Sequence, residues 1–206
     1  MKTQNLFRSV PFILLLAGIS ACDWLDFNKE ETDPAKTMGK VGNYWTAKTP
    51  GYPNTSITIQ ENNDGNVVAS FPYNGKTFEV EGKITDNGFY DYVYSNGDKS
   101  KPFALVKFDA NVGDKWEYKI GTQTVTREVV KKSTTDDTPY NGFWMIKTID
   151  VLETIPSGVQ VRGAASPAKT ILYKWNHKFG FISAEITKTD NSKVVVAQDD
   201  TNVADL

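Results

Sequence analysis

The sequence predicts an all-β fold: a single, mostly antiparallel domain built from hairpins, as a half-barrel or a sandwich. From residue 44 onward, short runs rich in Val, Ile, Thr, Tyr, Phe and Trp alternate with turn signals. Asn-Gly and Asp-Gly pairs favour the type I′ turns of hairpins, and they stand at 64–65, 74–75, 87–88, 96–97 and 141–142. No segment carries a 3.6-residue apolar stripe. We therefore expect at least about nine strands between Tyr44 and Gln198.

The hairpin at residues 74–75 has a register on which turn type and apolar pattern agree. A two-residue loop pairs Phe71 with Phe78 and Ala69 with Val80. Paired residues share a face of the sheet, so the apolar side chains fall together and the charged ones lie opposite. The predicted core face consists of Val67, Ala69, Phe71, Phe78 and Val80.

The turns at 87–88 and 96–97 extend this register and predict a row of tyrosines on the polar face. Tyr92 pairs with Lys83 on one side and with Lys101 on the other, while Asp91 falls on the apolar face opposite Ile84. Exposed aromatic rings beside charges can stack on sugars or cover an apolar ligand. The same row also stabilises neighbouring strands, which is the role we favour. The candidate ligand face consists of Tyr90, Tyr92, Tyr94, Lys83 and Lys101.

The second half of the chain continues the β pattern. Residues 115–120 alternate apolar and charged side chains, and residues 143–146 are apolar on both faces, as in a central strand. Ile171, Tyr173 and Trp175 share a face, and another strand opens at residues 179–181. We expect three tryptophans to lie in the core: Trp116, Trp144 and Trp175.

Residues 1–22 carry the most specific motif of the chain. Lys2 and Arg8 precede an apolar run, residues 11–19, that is too short to cross a bilayer. Ile19-Ser20-Ala21-Cys22 resembles the lipobox of bacterial lipoproteins. The resemblance implies that residues 1–21 are removed and that Cys22 receives a diacylglyceryl group and an acylated amine, with chains such as palmitate. Several acyl chains anchor a protein stably. The alternative is an ordinary secretory signal with Cys22 as a buried thiol.

Cleavage before Cys22 divides the chain into three parts. Residues 1–21 are the signal, residues 22–43 the lipidated N-terminus and a flexible tether, and residues 44–206 the β domain with a short polar C-terminal tail. The acids of the tether resemble the acidic patch of lipoproteins displayed on some Gram-negative surfaces, although a solvated linker explains them almost as well. We expect a lipid-anchored protein of the cell envelope, most of all of the outer membrane. Whether it faces the cell surface or the periplasm stays open. These acids are Asp23, Asp26, Glu30 and Glu31.

Charge and hydropathy limit the expected partners. Without the two cations of the signal the chain has 21 Lys and Arg against 25 Asp and Glu, a net charge of −4. A mildly acidic chain argues against nucleic acid as a partner. No second apolar segment approaches the roughly 20 residues that cross a membrane, so the lipid is the expected membrane attachment.

Catalytic motifs give no support for an enzyme. His177, the only histidine, stands on a predicted turn, which excludes a zinc site with two or three histidines from one chain. The sequence contains neither a Gly-x-Ser-x-Gly elbow nor a phosphate-binding glycine loop. We therefore expect a protein that is not an enzyme and that holds no cofactor.

Acidic residues leave two further possibilities. A pair of scattered carboxylates can hydrolyse glycosides, but Asp109, Asp114, Asp150 and Glu153 are better explained as strand-end or solvent-facing charges. Residues 62–65 offer oxygen ligands for calcium, yet the EF-hand spacing fails there. A hairpin turn is the simpler interpretation, and we expect no metal.

Segments of the second half also resemble exported half-barrel lipoproteins. Those proteins pair a Val-Gly-Asp-x-Trp-x-Tyr strand, here residues 112–118, with a late strand around a Gly-hydrophobic step, here residues 179–182. Many of them have no known activity, so the resemblance implies fold and compartment only. The sequence thus predicts a non-catalytic, lipid-anchored binding module for a glycan, lipid or peptide. The alternative is a structural or accessory subunit of an envelope complex, and a glycoside hydrolase is the remote one.

Overall fold

A computed structural model describes residues 37–73, 75–92, 98–120, 122–142, 144–157, 159 and 168–203. Strands dominate these residues, as expected where β-branched and aromatic runs are separated by turn residues. The described strands are β1 Tyr44–Lys48, β2 Thr55–Asn63, β3 Asn66–Tyr73, β4 Lys76–Thr85, β5 Gly88–Asp91, β6 Phe103–Lys107, β7 Lys115–Ile120, β8 Gln123–Lys132, β9 Thr138–Tyr140, β10 Trp144–Ile146, β11 Ile149–Thr154, β12 Ala168–Asn176, β13 Gly180–Lys188 and β14 Lys193–Thr201.

Twelve of the strands form one antiparallel sheet that curves into a nearly closed, barrel-like shape. Its order is β6-β5-β4-β3-β2-β1-β14-β13-β12-β11-β8-β7, and β9 and β10 form a separate two-stranded sheet. Most neighbours in the sheet are also neighbours in sequence, which is the expected result of hairpin connections. The prediction of an all-β, mostly antiparallel fold is confirmed, and the main sheet is one curved layer rather than the two layers of a sandwich.

The core lies on the concave side of this sheet. Val106 of β6 packs in one cluster with Val129 of β8, Val151 of β11 and Trp175 of β12, so the two ends of the sheet meet across the interior. Trp175 lies in the core as expected, and Trp116 of β7 packs against the same cluster. Because aromatic and aliphatic side chains occupy it, this interior is a packed core.

The hairpin between β3 and β4 has the predicted register, with Phe71 opposite Phe78 and Ala69 opposite Val80. The two phenylalanine rings stack with centroids 5.8 Å apart. The side chains become more exposed toward the turn, however, because Ala69 is buried whereas Phe78 is 43% exposed. The expectation that Phe78 belongs to the core is wrong, because the end of this hairpin extends beyond the packed interior.

The next turn lies one residue earlier than predicted, at 86–87 rather than 87–88, which shifts the pairing register of β5 by two residues. Gly88 is not in the loop but pairs with Thr85, so Lys83 lies opposite Tyr90 rather than Tyr92. A Cβ atom on Gly88 would lie 2.1 Å from the carbonyl oxygen of Val106, so glycine is required there by close backbone approach rather than by the turn. A shift of two residues preserves the faces of a strand, and Asp91 is accordingly buried, opposite Gly82.

The strand around residue 144 corrects a further expectation. Residues 144–146 form no central strand but pair with β9 as a short hairpin outside the main sheet. Tyr140 and Ile146 of this hairpin are buried against Ile182 and Phe179. Trp144 is exposed instead of lying in the core. Ile146 therefore belongs to a small satellite cluster rather than to the main core, since apolar composition alone does not show which element a segment packs on.

The residues before β1 also take part in the packing. Met38 is fully buried in one core cluster with residues of β2, β3 and β4. The side-chain amide of Asn43 donates to the carbonyl oxygens of Thr37 and Met38, which closes this segment on itself. The packed part of the chain thus includes Met38, which the sequence assigned to the tether.

Candidate functional site

The predicted ligand face is only partly formed by the described residues. Lys83 and Tyr90 are paired neighbours on adjacent strands, β4 and β5, opposite in face to buried Ile84. Tyr90 is half-buried, and this burial, followed by the charge of Asp109, raises the pKa of its hydroxyl. Lys101 is exposed in the loop before β6, where its ammonium group lies 3.6 Å from Asp98. Tyr94 and the turn at 96–97 lie outside the described residues.

Tyr92 does not form the exposed platform that the sequence predicts, because it is only 3% exposed. Strand β5 ends at Asp91, and the chain bends at Tyr92. Its hydroxyl donates to the side chain of Asn66 at 3.2 Å, and the Lys99 ammonium lies 6.0 Å from its ring centroid. Lys99 is in turn 2.8 Å from a carboxylate oxygen of Glu81. These contacts hold Tyr92 and Lys99 against the sheet and leave no open row of rings between Tyr90 and Tyr92.

The most unusual polar feature is an ion pair inside the core. Arg127 of β8 and Glu153 of β11 face each other across neighbouring strands, and their side chains are 1% and 0% exposed. Nε and Nη2 of Arg127 both donate to Oε2 of Glu153. The other oxygen, Oε1, is buried and accepts no hydrogen bond from the described residues. Two charges withdrawn from water in this way are stable only as a pair.

Two aromatic rings enclose the guanidinium group of Arg127. Its central carbon lies 4.8 Å from the ring centroid of Phe103 on β6 and 4.8 Å from that of Tyr173 on β12. Cations over aromatic faces gain electrostatic stabilisation, which increases when both groups are removed from water. Residues of three other strands, β6, β11 and β12, thus converge on the side chain of Arg127.

The expectation that Glu153 and Asp150 face solvent is wrong. Asp150 is also buried, and both of its oxygens lie within 3.1 Å of the Lys174 ammonium on β12. One sequence signal was available: Arg127 stands between Val125 and Val129, at the alternate positions of a buried strand face. Asp109 and Asp114 are exposed turn residues, as predicted.

Side chains connect the free edge of β6 to the other end of the sheet. The indole nitrogen of Trp116 donates to the carbonyl oxygen of Ala104 at 2.8 Å, and Nη1 of Arg127 donates to that of Leu105. Farther along, the Lys132 ammonium donates to two carbonyl oxygens, those of Phe108 and Ala110, at 2.8 and 2.9 Å. Side-chain donors of β7 and β8 therefore hydrogen-bond backbone carbonyl groups of β6 and of the turn that follows it.

The other candidate sites have structural explanations. His177 is exposed on the turn between β12 and β13, with its ring 5.3 Å from that of Phe108. Residues 62–65 form a hairpin turn in which the side-chain oxygen of Asn62 accepts the backbone N–H of Gly65. Asp150 and Glu153 are three positions apart on one strand, so their side chains lie on opposite faces. Within the described ranges, no three His, Cys, Asp or Glu side chains are grouped to hold a metal ion.

Comparisons with known proteins assign no family to the chain. No known protein family matches it, and no curated protein matches it. A crystal structure of a candidate exported protein with a YmcC-like fold from Bacteroides fragilis is similar over 79% of this chain and 96% of its own length. The identity is 12% and the TM-score is 0.46, values that establish neither a shared family nor a shared function. Among the described residues, no helix is long and apolar enough to span a membrane.

Proposed function

We propose that this chain is a lipid-anchored β-domain of the cell envelope that acts by binding rather than by catalysis. One observation carries the proposal: Ile19-Ser20-Ala21-Cys22 follows a basic start and a short apolar run. Cys22 is the only cysteine, so an internal disulfide is impossible and lipid attachment gives it a role. Cys22 lies outside the described residues.

The use of charge inside the domain supports binding rather than catalysis. Catalytic acids and bases act where a substrate reaches them, whereas Glu153 is engaged by Arg127 within the packed core. Asp150 is engaged by Lys174 on the neighbouring strand. Both carboxylates hold strands together, which is a structural use of charge.

Because the interior is filled, the proposed ligand would contact the outer surface of the sheet. Tyr90, Lys83 and Lys101 remain the described candidates for contact with a glycan, lipid or peptide. Tyr92 is buried and bonded to Asn66, so a sugar stacked on its face would require the loop after β5 to move. The stacking role on which the glycan hypothesis depends therefore falls mainly on Tyr90.

Membrane fractionation tests the anchor. We expect the parent protein in the membrane fraction, released only by detergent, and the Cys22→Ser variant in the soluble fraction, because it has no thiol to acylate. Ser20→Ala is the matched control, since alanine also fits the lipobox at this position, and it should remain in the membrane fraction. A Cys22→Ser variant that still requires detergent would contradict the proposal.

A second candidate function is that of an accessory subunit in an envelope complex, and the sheet edges favour it. Among the described strands, β7 has a sheet partner, β8, on one side only. Unpaired strand edges accept strands from other chains, although outward charges such as Lys115 and Lys119 limit unspecific pairing. Size-exclusion chromatography with light scattering of the detergent-extracted protein tests this role. A stoichiometric complex that Glu117→Pro dissociates would support it, and a lone chain would contradict it.

A further inference from the structure

We propose that the tip of the β9–β10 hairpin, Trp144 and Met145, rests on the lipid surface to which Cys22 anchors the chain. The inference depends on the proposed lipid anchor and adds a second, non-covalent membrane contact. It would orient the domain with one end of its sheet toward the bilayer.

The hairpin presents two apolar side chains to solvent from a fixed base. Trp144 is 64% exposed and Met145 is 52% exposed. The base does not share this exposure, because Tyr140 and Ile146 are buried against the main sheet. The ring of Tyr140 stacks on Phe179, with centroids 4.7 Å apart. Successive strand residues point to opposite faces, so Trp144 and Met145 protrude on the two sides of this anchored hairpin, and a headgroup layer that receives its end would meet both.

A series of direct contacts links this hairpin to the segment that leads back to Cys22. A Cβ atom on Gly180 would lie 3.1 Å from the Met38 sulfur and 3.4 Å from the Trp45 indole nitrogen, so these groups are in close contact. Trp45 donates to the carbonyl oxygen of Phe179 at 2.9 Å. Phe179 stacks on Tyr140, which belongs to the hairpin. The chain therefore enters the domain at the end where Trp144 is exposed.

Chain length favours this end of the domain for membrane contact. Sixteen residue steps separate Cys22 from Met38. A coil of that length, which the sequence predicts, has a root-mean-square reach of roughly 20–24 Å. A nine-residue strand such as β13 is about 30 Å long. The far end of β13 is thus about one strand length from Met38, where the tether enters the domain, whereas the hairpin is linked to Met38 by direct contacts.

The chemistry of the tip suits a lipid headgroup layer. Tryptophan is enriched at membrane interfaces because its ring is apolar and its N–H is polar. Lys147 directly follows the hairpin and is exposed, and Lys178 lies with its ammonium 5.5 Å from the Phe179 ring centroid. Both cations would favour anionic headgroups, while the exposed Asp200 is the nearby opposing charge.

Quenching of tryptophan emission by brominated lipids tests the inference. The lipidated full chain is placed in vesicles of phosphatidylethanolamine and phosphatidylglycerol, with and without bromine on the acyl chains. Trp24→Phe is used as the background, because Trp24 lies next to the anchor in sequence. We expect bromine to quench a component of the emission that disappears in Trp144→Phe. Flotation of the vesicles reports the anchor separately.

Tyr52 provides the matched control, since it is exposed in the loop beyond the far end of β1. In the Trp144→Phe background, Tyr52→Trp should give emission that brominated lipid leaves unchanged. Absent quenching of Trp144, or equal quenching at position 52, would overturn the inference while the chain still floats. A chain that does not float would overturn the lipid anchor together with it. Protection of Trp144 from acrylamide without vesicles would show that a protein surface, not lipid, covers the tip.

Discussion

Replacing Glu153 by glutamine should destabilise the fold more than most single changes that preserve side-chain shape. The substitution removes the negative charge and leaves the guanidinium group of Arg127 buried without its counter-ion. Loss of one partner from a buried ion pair costs about 3–5 kcal/mol of unfolding free energy. The contacts of Arg127 with Leu105, Phe103 and Tyr173 remain in the variant, so we expect a value near the lower limit of that range.

An exposed ion pair that includes Glu128, the neighbour of Arg127 on β8, provides the control. Glu128 of β8 lies 3.1 Å from Lys115, with side chains 35% and 57% exposed. Ion pairs in solvent contribute about 0–1 kcal/mol, so Glu128→Gln should have little effect. Urea unfolding followed by tryptophan emission measures both variants. A Glu153→Gln protein within about 0.5 kcal/mol of the parent would show that the pair is not desolvated and would refute the reasoning.

Replacing both Arg127 and Glu153 by apolar residues also tests whether an unpaired buried charge causes the loss of stability. Oε1 of Glu153 accepts no hydrogen bond from the described residues, so the pair is incompletely satisfied. We therefore expect the double variant Arg127→Met, Glu153→Leu to recover most of the loss, as replaced buried ion pairs often do. A double variant as unstable as Glu153→Gln would mean that the contacts of Arg127 with β6, rather than charge burial, dominate.

Three further changes have defined outcomes. Tyr92→Ala should lower the free energy of unfolding by about 3–5 kcal/mol because a buried ring is lost. Phe78→Ala should lower it less, since the stacked pair with Phe71 is worth about 0.5–1.5 kcal/mol. Thermal melts in the opposite order would contradict the described burial. Gly88→Ala should cost about 1–3 kcal/mol, measured by urea unfolding, because its methyl group would meet the Val106 carbonyl, and an unchanged midpoint would contradict this. Burial raises the pKa of Tyr90, so the unfolded chain ionises first and stability is lost as pH rises above 10.0; Tyr90→Phe should reduce that loss in melts at increasing pH, and equal slopes would exclude it.

Local patterns were sufficient for the all-β class and for the hairpin at residues 74–75. There the turn type and the apolar alternation around Phe71 and Phe78 independently give one register, which the structure has. The same reasoning placed the turn near Asn87 one residue too late and so shifted the register by two, because Gly88 is needed for close approach to β6, a strand some fifteen residues later. The predicted faces of the residues in β4 and β5 were unaffected, because a register shift of two residues leaves each side chain on the same face of the sheet.

The candidate site was less predictable, since burial depends on elements distant in sequence. The pattern placed Tyr92 on a strand face, but β5 ends one residue earlier and the Tyr92 hydroxyl donates a hydrogen bond to Asn66, 26 positions away. Arg127 and Glu153 are also 26 positions apart, and their burial depends on β6 and β12 closing over them. The available sequence signal was the charge of Arg127 between Val125 and Val129. Identifying Glu153 as its partner requires the order of the strands in the sheet.

The covalent state of Cys22 tests the central claim of a lipid-anchored envelope protein most directly. The measurement is the intact mass of the protein extracted from membranes with detergent. We expect a chain that begins at Cys22 and carries a diacylglyceryl group on sulfur and an acyl group on the new amine. A chain that begins there with a free thiol, or one that retains residues 1–21, would contradict the account.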